Sequence, residues 1–137
     1  IVAFGAAVEE LRTKKSEISE HAKELRAYAD EKLGALDLRI NRPAGEALPY
    51  IINITLPDIK SETMLHALSA DGIFVSSGSA CSSHSSQPSE SLIAFGLTPH
   101  EADCSLRISL SRYNTENDID ALCTSLAKNI NRLVKIR

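Results

Sequence analysis

At 137 residues the chain is one domain, long enough to bury a core, and its 43% hydrophobic and 24% charged residues are those of an ordinary soluble globular protein. A net charge of −3 supplies no general attraction to nucleic acid or to an anionic membrane, and no apolar run approaches the ~20 residues a bilayer span needs, so neither partner is expected. Cysteines 81, 104 and 123 are an odd number without tight spacing, which argues against a secreted disulfide scaffold and for a reducing, cytoplasmic setting.

The chain opens on Ile1-Val2-Ala3-Phe4 rather than on Met, as if cut through a helix, and is expected to be a piece of something longer. Phe4, Val8 and Leu11, then Ile18, Ala22, Leu25, Ala29 and Leu33, fall three or four apart and predict a helix to about residue 33. The polar run Arg12 to Glu17 interrupts that stripe, and Gly34 supplies a stop. His21 reads as a surface or boundary histidine rather than a ligand.

Leu36, Leu38 and Ile40 alternate with polar residues and predict a short strand, and Asn41 to Pro49 must be loop. Tyr50 to Leu56 predicts a central strand with Ile52, Ile54 and Leu56 on one face. Ser61 is expected to cap a helix through Ala70, with Met64, Leu65 and Leu68 buried and His66 exposed. Ile73-Phe74-Val75 reads as a third, fully apolar strand.

That strand leads into Ser76-Ser77-Gly78-Ser79-Ala80-Cys81-Ser82-Ser83-His84-Ser85-Ser86. Serines, one glycine and no branched apolar residue make a segment that buries almost nothing, so a surface loop is expected. Free cysteine is ordinarily a buried small hydrophobe, and a thiol on such a loop is placed to react or to meet a partner. A solvated linker with an incidental cysteine is the competing reading.

Beyond the loop, Pro88 and Glu90 suit a first helical turn, with Leu92, Ile93 and Phe95 as apolar positions and Gly96 as the end. Thr98-Pro99-His100-Glu101 is a capping box opening another short helix, with His100 facing solvent. Cys104, Leu106, Ile108 and Leu110 then alternate with Ser105, Arg107, Ser109 and Ser111, a strand whose apolar face includes Cys104 and whose polar face carries Arg107. Thr115 and Asp118 stand at capping-box spacing before the last helix, where Ile119, Leu122, Leu126, Ile130 and Leu133 form a stripe beside Cys123. The fold class expected is α+β, a four-stranded antiparallel or mixed sheet packed with helices.

Ser77-Gly78-Ser79-Ala80-Cys81-Ser82-Ser83 resembles the active-site loop of the cysteine desulfurases, pyridoxal-phosphate enzymes of the class V aminotransferase group. The resemblance continues in Gln87-Pro88-Ser89, in Ser105 to Arg112, in Asn114 to Asp120 and, upstream, in Asn41-Arg42-Pro43, Leu48-Pro49 and Gly72 to Gly78. It implies the family's C-terminal small domain, residues 35–137 with the cysteine loop at 76–87, preceded by a long helix over 1–34. It implies Cys81 as the catalytic residue that takes sulfur from L-cysteine as a persulfide, releasing L-alanine, and Arg107 as the group that binds the substrate α-carboxylate. Pyridoxal 5′-phosphate is implied for the full-length enzyme only. None of the seven lysines sits in a Ser-His-Lys sequence, so the Schiff-base lysine, the cofactor site and turnover are expected elsewhere than in this chain. A homodimer when full-length and a sulfur-acceptor protein such as an iron–sulfur scaffold are the implied partners.

Two alternatives stand beside this reading. Cys81-x-x-His84 and His100-x-x-x-Cys104 have ligand-like spacings, from which a zinc module can be drawn, although Cys104 belongs to an apolar face and no metal site is expected. A non-enzymatic sulfur carrier or interaction domain would use Cys81 alone. His84 is a further candidate to assist the thiol, and without the resemblance Arg107 reads as a surface salt bridge.

Overall fold

Alternating apolar residues build the sheet at the centre of the structure, a computed structural model that describes residues 1–77 and 89–133. The strands are β1 (Arg39–Asn41), β2 (Ile51–Thr55), β3 (Ser76–Ser77) and β4 (Ser105–Ser109), in the order β1-β2-β4-β3 with every pairing antiparallel. Of the two sheet types expected, the antiparallel one is found. The helices are α1 (Val2–Gly34), α2 (Ser61–Ala70), α3 (Glu90–Ala94), α4 (Pro99–Asp103) and α5 (Glu116–Arg132).

One face of the sheet is closed by helices. Ile52 and Ile54 of β2 and Leu106 and Ile108 of β4 pack with Leu25, Ala29 and Leu33 of α1, Met64 and Leu68 of α2, and Ile119, Leu122 and Leu126 of α5. Side chains alternate across a strand and recur every three to four residues on a helix, so these two periods place one continuous core between the layers. Two carboxylates fasten the starts of α4 and α5 as the spacings predict. Glu101 accepts from the Thr98 amide at 2.7 Å, and Asp118 accepts from the Thr115 amide at 2.8 Å. His21, half-buried, donates from Nε2 to the Asn114 carbonyl at 3.0 Å and ties α1 to the entrance of α5.

The structure corrects four local expectations. The stripe at Phe4, Val8 and Leu11 is helical but uncovered: Phe4 is 75% exposed, and burial in α1 begins only at Ala22. Ser61 is the first helical residue of α2 rather than its cap, which falls on Lys60 without a side-chain bond. Ile73-Phe74-Val75 is not a strand. Gly72, at φ +79°, and Ile73 instead close the end of α2, their amides donating to the Ser69 and Leu68 carbonyls. That commits the Ile73 N–H elsewhere, leaves Phe74 84% exposed, and delays pairing to Ser76 and Ser77. In α3, finally, Ile93 and the following Phe95 are exposed rather than packed.

Candidate active site

Arg107 lies on the face of β4 opposite Leu106 and Ile108. Residues paired directly across an antiparallel sheet share a face, with Cβ atoms about 4.5–5.5 Å apart. Asn53 of β2 and Ser76 of β3 therefore flank Arg107, Asn41 of β1 stands beyond Asn53, and the row Asn41–Asn53–Arg107–Ser76 crosses all four strands. Beside it runs a second row, Arg39–Thr55–Ser105.

These rows are cross-linked by neutral groups. Asn41 Nδ2 donates to Asn53 Oδ1 at 2.6 Å and to Thr55 Oγ1 at 2.8 Å, and Thr55 and Ser105 share a bond between hydroxyls at 2.9 Å. Asn53 Nδ2 donates to the Leu106 carbonyl at 3.1 Å. Arg107 makes one long bond, from Nη2 to Ser76 Oγ at 3.4 Å, and is otherwise exposed. Its neighbours in charge are differently placed. Arg39 meets Glu101 at 2.9 Å, Arg26 and Arg42 both meet Asp30, and Arg112 meets Glu10 at 2.9 Å and donates to the Tyr113 hydroxyl at 2.6 Å. Arg112 is thus engaged within the chain. Among the described residues Arg107 has no carboxylate partner, and most of the five donors in its planar fork have no partner there, a fork whose geometry matches a carboxylate.

The candidate nucleophile Cys81, with His84, lies outside the described residues. The two thiols within them are unsuited to attack. Cys104 is buried in the core, and that burial, reinforced by Asp103 and Asp58 against a weaker pull from Lys60, pushes its thiol pKa up. Cys123 is half-buried rather than fully so. Its thiol is likewise raised, by burial first and then by Asp120, with Lys32 opposing. The thiolate is the reactive form, and both environments disfavour it. His100 and Cys104 do not converge either, because His100 Nε2 stands 2.9 Å from Asp58 Oδ1 while Cys104 faces the core. Among the described residues no three His, Cys, Asp or Glu side chains gather as a metal site would require.

The Aminotransferase class-V family matches residues 1–122. The chain belongs to the class-V aminotransferase family. Cysteine desulfurase IscS 1 of Archaeoglobus fulgidus is 37% identical over 134 residues, covering 97% of this chain and 35% of that relative. The cysteine desulfurase IscS of Clostridium botulinum is 39% identical over 133 residues, covering 93% and 33%. Among solved structures, the NifS-like protein from Rickettsia africae superposes with a TM-score of 0.81 at 29% identity, covering 95% of this chain and 33% of its own. The chain spans about a third of the length of the curated relatives it matches.

Pyridoxal phosphate, which a class-V aminotransferase implies, needs a lysine to hold it. Lys14, Lys23, Lys32, Lys60 and Lys128 pair with Glu10, Glu20, Asp120, Asp103 and Asp71, and none of the described lysines stands in the rows around Arg107. The described residues therefore do not fit the cofactor's anchor. What the Arg107 fork can accept chemically is a carboxylate. Asn53 was not legible as a site residue, because only the register of β2 on β4 brings it beside Arg107; the sole signal in sequence was a polar residue on the second face of a strand.

Proposed function

We propose that this chain is the C-terminal part of a pyridoxal-phosphate-dependent cysteine desulfurase, in which Arg107 holds the α-carboxylate of L-cysteine and Cys81 takes its sulfur. The long helix over 1–34 leads into the small domain over 35–137, and the cysteine segment expected over 76–87 opens with the paired residues of β3, Ser76 and Ser77, rather than with loop. In overall balance the Cys81 thiolate attacks the substrate sulfur, the substrate carbon–sulfur bond breaks, the sulfur remains on Cys81 as a persulfide, and the organic product takes up a proton as L-alanine. The cofactor supplies an electron sink to this chemistry and is anchored by residues other than those described here. The complete enzyme is read as a cytoplasmic homodimer that passes sulfur to an acceptor such as an iron–sulfur scaffold protein.

One observation carries the reading: an exposed guanidinium with no carboxylate partner among the described residues, on the polar face of the sheet, bonded to the strand that continues toward Cys81. Ser77 precedes Cys81 by four residues, a tether of at most roughly 14 Å when fully extended, so the two groups belong to one neighbourhood by connectivity. The names of the relatives agree with it. Release of alanine from L-cysteine by the complete enzyme tests the proposal. Cys81→Ser should abolish it and Arg107→Ala should cripple it. Undiminished alanine release by either variant would refute the residue's assigned role.

A further inference from the structure

Within that reading, we propose that Asn53 is the positioning residue of the Arg107 site: a neutral amide clamped across the sheet that braces the guanidinium while leaving it without an internal carboxylate. Both ends of the amide are occupied. Oδ1 accepts from Asn41 at 2.6 Å, and Nδ2 donates at 3.1 Å to the carbonyl of Leu106, the residue preceding Arg107 in β4. Asn53 thus grips the backbone that carries Arg107 and flanks that residue from β2, as Ser76 does from β3. Among the described residues the cross-strand neighbours in the row of Arg107 are amides and a hydroxyl, and in the second row Arg39 is paired with Glu101.

The choice of amide over acid matters chemically. An aspartate at 53 has nearly the same shape, but it would set a carboxylate oxygen against the Leu106 carbonyl, turn toward Arg107 and occupy the fork. A ligand carboxylate would then have to displace it. Neutrality at 53 keeps Arg107 selective for carboxylates that arrive from outside.

The test uses this chain and phenylglyoxal, which modifies the uncharged guanidine of accessible arginines, with peptide mapping to follow Arg107 and Arg39 separately. In the unaltered chain Arg107 should react faster than the Glu101-paired Arg39, and acetate should slow it. In Asn53→Asp, modification of Arg107 should slow about tenfold or more, because an opposite charge at cross-strand distance raises the guanidinium pKa by about a unit or more. Acetate should then add no further protection, and the Arg39 rate should not change. Asn53→Ser, which removes both clamp bonds without adding charge, serves if the aspartate fails to fold. It should weaken acetate protection of Arg107 about fivefold with Arg39 again unchanged, the loss of a single positioning contact being on the order of 1 kcal/mol. Arg107 rates and acetate protection that match the unaltered chain in the variants that fold would overturn the proposal. A failure of the substrate role is distinct: it would show as intact cysteine turnover in the complete enzyme carrying Arg107→Ala, whatever phenylglyoxal reports on this chain.

Discussion

At the scale of single residues, function concentrates on groups that packing leaves free. Arg107 sits on a strand whose opposite face supplies the core through Leu106 and Ile108, so removing its side chain opens no cavity. A charge-assisted bidentate contact is worth on the order of 1.5–3 kcal/mol, so Arg107→Ala in the complete enzyme should lower kcat/KM roughly ten- to a hundredfold while melting stays within a few degrees. Arg107→Lys should recover only part, because a point charge does not reproduce the planar fork. Intact turnover with a sharply lowered Tm would make the residue a structural one. The thiols make a second case. With Cys104 buried and Cys123 half-buried, both raised in pKa, limited alkylation of the native chain should label Cys81 first. Labelling of Cys104 ahead of Cys81 would contradict the loop reading.

At the scale of elements, local pattern was legible and long-range pairing was not. The alternation Cys104, Leu106, Ile108 and Leu110 names the buried face of β4 because a strand has a period of two and nothing else is needed. Phe4, Val8 and Leu11 name a helix by the same logic, but periodicity says which residues share a face and not whether anything covers it. Ile73 to Val75 show a related gap. Apolar composition suggests a strand, yet the Ile73 amide is consumed in closing α2 before pairing begins. The row that puts Asn53 beside Arg107 depends on register between strands more than fifty residues apart, which no local pattern encodes.

These differences carry consequences for stability. Deleting residues 1–15 should shift Tm by only a few degrees, since burial in α1 starts at Ala22, whereas Leu25→Ala should cost about 2–5 kcal/mol as a core truncation. Equal losses in a denaturant titration would show that the exposed half of α1 is packed after all. The capping carboxylates set an acid limit. The Thr115 amide, with Asn114 assisting, holds Asp118 below the usual carboxylate range, and the Thr98 amide and hydroxyl do the same for Glu101. Their folded pKa values lie below the unfolded ones, so this stability is present above about pH 4 and is lost as pH falls through the folded values. Asp118→Asn should flatten the dependence of Tm on pH below about 4, and an unchanged slope would remove the cap from the explanation.

At the scale of the whole molecule, the chain has a core of its own and, on the proposed reading, one side of a reaction centre. Helices α1, α2 and α5 close one face of the sheet, and the opposite face presents Arg107 with no carboxylate partner among the described residues. Because no described lysine stands in the rows around Arg107, and five of them are paired with acids, the chain by itself should form no borohydride-reducible adduct with pyridoxal phosphate on a lysine and should not turn over cysteine. A stable yellow adduct mapped to one of its lysines would overturn that expectation. The central claim is that sulfur from L-cysteine comes to rest on Cys81 with Arg107 gripping the substrate. Its most direct measurement is peptide mass mapping of the complete enzyme after brief exposure to L-cysteine, with and without Arg107→Ala. One added sulfur atom on the Cys81 peptide, none on those of Cys104 or Cys123, and markedly slower loading in the variant is the predicted result. Sulfur on another cysteine, or loading that is indifferent to Arg107, would contradict it.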